Sequence, residues 1–133
     1  MSEKVKHYRD LRVWQAAIDL SVIIYKITES FPKHEQFGLM SQMRRASVSI
    51  GSNIAEGFNR SSKEFGRFVE MAMGSLAELE TQCEIAKRID YLKQTDYENL
   101  KTQMDVLGRQ LNVLHQRLKG QQTTSNQQLA TSN

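Results

Sequence analysis

Arg44, Arg45, Arg60, Lys63 and Arg67 are the residues of this chain whose types and spacing best suit a specific chemistry. A guanidinium offers planar, paired N–H donors to a phosphate, and a lysine adds a mobile point charge. On a helix, positions 60, 63 and 67 share one face, so the group reads as a phosphate-contacting cluster. Lys4, Lys6 and Arg9 could extend it as a basic arm along a polyanion. A second pairing is equally open: Arg44, Arg45 and Arg67 could face glutamates such as Glu56, Glu64 and Glu70 on neighbouring helices or subunits.

Other constellations fall short of a reaction. Helical di-metal sites use Glu-x-x-His, and none of His7, His34 and His115 has a glutamate three positions before it. There is no glycine loop for phosphate, no G-x-S-x-G and no H-E-x-x-H. Asn53 and Glu56 lie three apart, but no nucleophile and oxyanion donor accompany them. The single cysteine, Cys83, sits on an apolar helical stripe and reads as a small buried hydrophobe. The expectation is a protein that is not an enzyme and uses no cofactor and no metal.

The elements that position these residues read as helices. With 39% hydrophobic and 25% charged residues and one proline, the 133-residue chain has the composition of a single all-α globular domain. The net charge of +3 permits an anionic partner without demanding one. The N-terminus has no apolar signal region, and no apolar run approaches the roughly 18 residues of a membrane span, so a cytoplasmic setting is expected. A first helix is expected from Asp10 to about Ser30, halted by Pro32. It carries two seams, Leu11-Trp14-Ile18-Tyr25 and Val13-Ala17-Leu20-Ile24-Ile27, and the second covered side is expected to meet another subunit. The second helix, from Glu35–Phe37 to Phe58, is rich in small residues, and Gly51 implies close helix approach. Ser61 and Glu64 form a capping box for a third helix to Ile89; Thr95 and Glu98 suggest another for the fourth. The fourth repeats Tyr97, Leu100, Met104, Leu107, Leu111, Leu114 and Leu118, a bundle seam that Gly120 is placed to end. The expected architecture is therefore a basic arm over 1–9, an up-down-up-down four-helix bundle over 10–119, and a disordered polar tail over 120–133.

RRASVSIGSNIAEGFNR, followed by AMGSLAELETQCEIAKRIDYL, resembles the four-helix-bundle proteins encoded in intervening sequences of bacterial 23S ribosomal RNA genes. That S23-like family is in turn similar to the accessory variability protein of diversity-generating retroelements. The resemblance implies a homo-oligomeric ring, typically a pentamer, that binds RNA or DNA by its backbone, structured RNA first. Alternatively it implies a scaffold for a partner such as a reverse transcriptase. No membrane partner is implied.

Overall fold

A computed structural model of the chain describes residues 5–131, with the backbone alone over 122–131. Among the described residues all regular structure is helical. Four α-helices, α1 (Arg12–Thr28), α2 (Leu39–Gly57), α3 (Ser62–Arg88) and α4 (Gln94–Thr131), are joined by short connections. Cross-helix partners run in opposite directions along the chain. Ser62 bonds Gln121, Glu70 meets His115, and Glu84 accepts from Tyr97. Likewise Arg44 reaches Thr28 while Gly51 faces Ile18. Each helix packs on its sequence neighbours, and α1 closes the square against α4. The bundle is therefore up-down-up-down, as the short connections require.

Helical periodicity decides which side chains fill the centre. Leu20 and Ile24 of α1, Met43, Ile50 and Ile54 of α2, Val69 and Leu79 of α3, and Leu100, Leu107 and Leu111 of α4 are each almost completely buried. The second seam of α1 is partly covered within the chain. Trp14 and Ile18 lie on the small-residue face of α2, where a Cβ at Gly51 would stand 3.2 Å from Ile18 Cδ1 and 3.8 Å from Trp14 Nε1. Within the chain, Leu11, Trp14 and Ile18 of this seam are half-buried and Tyr25 is exposed. Gly57 permits a still closer crossing: a Cβ there would fall 2.6 Å from Phe68 Cβ. A methyl group against a Cβ has nowhere to go, so the backbones of α2 and α3 meet at this point because residue 57 has no side chain.

The helix ends show where local signals hold. Ser61 Oγ accepts from the Glu64 amide at 3.2 Å, as its capping position implies. Thr95 does not cap α4, because the helix begins one residue earlier, at Gln94, whose side-chain amide donates to Glu98. At the C-terminal end of α3, Asp90 takes the left-handed φ of 65°. The Tyr91 amide then donates to Ala86 and the Asp90 amide to Lys87, the bond pair of a Schellman ending without the usual glycine. The backbone of α4 passes through Gly120, where the sequence suggested a stop. That helical backbone runs on to Thr131, where a disordered tail over 120–133 was expected; the side chains of 122–131 and all of 132–133 lie outside the described residues.

Candidate nucleic-acid interface

Antiparallel topology decides which cations share a surface. The start of α1, the end of α2, the start of α3 and the latter part of α4 belong to the same half of the bundle. That half carries Lys6, Arg9 and Arg12, then Arg60, Lys63 and Arg67, then Arg109, Arg117 and Lys119. Its carboxylates are Asp10, Asp19, Glu56, Glu64 and Glu70. The opposite half mixes Lys26, Lys33, Arg44, Arg45, Lys87, Arg88, Lys93 and Lys101 with at least as many acids, among them Glu78, Glu80, Glu84 and Asp105. The modest net charge of +3 thus conceals a strongly sorted one.

This sorting divides the residues singled out by sequence. Arg60, Lys63 and Arg67 stand together with Lys6 and Arg9; Lys4 lies outside the described residues. Arg44 stands at the other end of α2, on the order of 24 Å from Arg60 at 1.5 Å of rise per residue. Its Nε donates to Thr28 Oγ1 at 2.9 Å and one terminal nitrogen to the Tyr25 carbonyl at 3.1 Å. The same nitrogen pairs with Glu29 at 3.1 Å, and the guanidinium lies 4.5 Å from the centre of the Tyr25 ring. Arg44 thereby fastens the end of α1 to α2. Its carboxylate is Glu29, not one of the three glutamates suggested by sequence. Arg45 is exposed beside Gln42, Ser49 and Glu78.

At the basic half, Arg60 folds back over its own turn. It donates to the Glu56 carbonyl, pairs with Glu64 at 3.4 Å and stacks on Phe68. Both partners of that ion pair are about half exposed, where such a pair is worth under about 1 kcal/mol and yields readily to phosphate. Among the described residues, the side chains of Arg12, Lys63, Arg67, Arg109 and Arg117 make no ion pair or hydrogen bond. The arm is anchored, since Tyr8 packs edge-on against Trp14 and Phe58. Lys6 and Arg9 are therefore held beside this surface.

Five residues of this surface were invisible as members of it. Arg12, Arg109 and Arg117 flank a groove between α1 and α4 whose walls are Val5, Leu11, Val13, Val113 and Leu114. Lys119 and His115 face the start of α3 across a second cleft. The i, i+8 spacing of Arg109 and Arg117 is the one signal that places them on a common side of α4. Asn53 is not part of a site: its amide donates to the Ser49 carbonyl of its own helix. His7 caps the turn at Arg9, and His34 sits 3.3 Å from the Tyr91 hydroxyl. Among the described residues no three His, Cys, Asp or Glu side chains are grouped to hold a metal ion. No helix among them is long and apolar enough to cross a membrane.

The fold and surface together define a four-helix bundle with one cationic half. Residues 9–113 match the 23S rRNA-intervening sequence proteins, and the chain belongs to that family. Its fold is similar to the crystal structure of a protein of unknown function from the S23 ribosomal protein family of Bacteroides thetaiotaomicron. The two are 23% identical with a TM-score of 0.70, over 77% of this chain and 97% of the other. No curated protein matches the chain.

Proposed function

We propose that this protein is a non-enzymatic, ring-forming bundle that binds nucleic acid, structured RNA first, through contacts from its basic half to the phosphate backbone. The sorting of cations by antiparallel topology carries the reading, because it converts scattered basic residues into one continuous field. Family membership supports it by linking such chains to 23S rRNA intervening sequences. The apolar walls beside Arg12, Arg109 and Arg117 form no base-edge reader, so contact with the backbone rather than with sequence is the expected mode. Binding of labelled RNA across a salt series tests this. Affinity should fall with a log–log slope of roughly −0.7 per phosphate contacted on single strands or −0.9 on duplex, and similarly for unrelated sequences.

A second reading, a scaffold for a protein partner such as a reverse transcriptase, rests on a different face. Met71 and Ile85 are about half exposed along α3, beside Gly74, whose missing side chain leaves open space. Gln82 between them is 92% buried, and its Oε1 has no hydrogen-bond partner.

A further inference from the structure

The cleft between the start of α3 and the latter part of α4 is built from a combination that packing does not call for. Lys63 and Arg67 line one wall with the Ser62 hydroxyl, close to the positive end of the α3 dipole. His115 and Lys119 line the other wall. Gly66 forms the floor, and a Cβ there would touch nothing within 4 Å. A helical glycine forgoes about 1 kcal/mol relative to alanine, and here neither a close crossing nor a positive φ explains it. What the missing side chain provides is room beside two cations.

One anion already sits at this cleft, and it belongs to the chain. Glu70 Oε2 lies 2.8 Å from His115 Nε2, with the imidazole N–H donating to the carboxylate. The histidine side chain is 15% exposed, whereas the glutamate is 61% exposed. An exposed carboxylate on a flexible stem is held only weakly, and it can swing into solvent when another anion takes the donor.

We propose that this cleft seats a single phosphate group, bound by Lys63, Arg67 and the His115 N–H, and that Glu70 is its internal competitor. This deepens the backbone-binding reading by naming one phosphate position within the basic half. Displacing Glu70 lets one phosphate take up the donor and the adjacent cations together. The carboxylate also lowers affinity for stray anions, so the seat favours a phosphate delivered by a longer polyanion bound elsewhere on the surface.

The test is an NMR titration with inorganic phosphate, following the Gly66 amide and the His115 ring in the full chain. Glu70→Gln removes the competing charge and should bind phosphate about two- to fivefold more tightly, the equivalent of an exposed ion pair. Lys63→Gln with Arg67→Gln should weaken it severalfold. Glu70→Ala serves as a second competitor-free variant should Glu70→Gln fold poorly. A Glu70→Gln protein that folds and binds phosphate no more tightly than wild type overturns the proposal. So does perturbation confined to residues outside the cleft. A 5′-phosphorylated RNA that gains over its 5′-hydroxyl twin would assign the seat to a strand end, and an equal gain by both to an internal phosphodiester. RNA binding without any response of the cleft removes the seat and leaves the backbone reading standing. Phosphate in the cleft without RNA binding does the reverse.

Discussion

Gly57 and Gly51 do the same work at different tightness. At Gly51 the nearest atom is Ile18 Cδ1, the end of a side chain that can turn aside. At Gly57 it is Phe68 Cβ, which moves only with its backbone. Gly57→Ala should therefore destabilise by about 1–3 kcal/mol as an overpacked crossing, despite the better helix propensity of alanine, and a denaturant titration reads this directly. Gly51→Leu should also destabilise, since the added branch must displace Ile18 and Trp14. Cys83 is the opposite case, a residue whose surroundings silence it. Burial pushes its thiol up to about 12, with the nearby Glu80 carboxylate acting in the same direction. Iodoacetamide at pH 8 should leave the native protein unmodified and react only after denaturation.

Each helix was legible where periodicity alone decides burial. The α4 seam from Leu100 to Leu111 is buried throughout, because in a bundle every alternating three-and-four step returns to the axis. What a second seam touches was not legible. The apolar surface at Trp14 and Ile18 suits a neighbouring subunit or a neighbouring helix equally well; the small-residue face of α2 covers part of it, and both side chains stay half-buried. Nor could spacing reveal that Arg44 would find Thr28 and Glu29, or that His115 would meet Glu70, since those contacts exist only once the helices are antiparallel.

Helix ends carry two expectations of their own. Asp90 holds a left-handed φ that disfavours a Cβ by about 1–2 kcal/mol. Asp90→Gly should thus stabilise the chain by about 0.5–1 kcal/mol after the extra freedom of glycine in the unfolded state is subtracted, visible as a raised melting temperature. The second expectation concerns acid. Glu84 accepts from the Tyr97 hydroxyl and from Arg88, and these bonds hold its carboxyl below the ordinary 4.5. A carboxylate favoured in the folded state stabilises above its unfolded value, and that stability is lost as pH falls through the lowered one. Tyr97→Phe should therefore flatten the acid side of the stability–pH curve below about pH 4.5, while Glu80, pushed up by burial and then by Asp105, contributes with the opposite sign.

At the scale of the whole molecule, one half of the bundle is cationic and the other balanced, and no composition figure reveals it. The sequence placed Arg60, Lys63 and Arg67 on one helix face, but only Lys63 and Arg67 lie on α3; Arg60 stands in the turn before it and is near them through chain proximity. The sequence could not bring Arg12, Arg109 and Arg117 to them, since only the closure of α1 on α4 does so. If position rather than total charge attracts the polyanion, two variants of identical net charge must behave differently. The measurement is RNA affinity across a salt series for Lys63→Glu with Arg117→Glu, in the basic half, against Lys33→Glu with Lys101→Glu, in the balanced half. The expected result is at least a tenfold loss for the first pair, with a slope shallower by about 0.7 per phosphate contact removed, and affinity close to wild type for the second. Equal losses in both, or none in either, would contradict binding by the basic half.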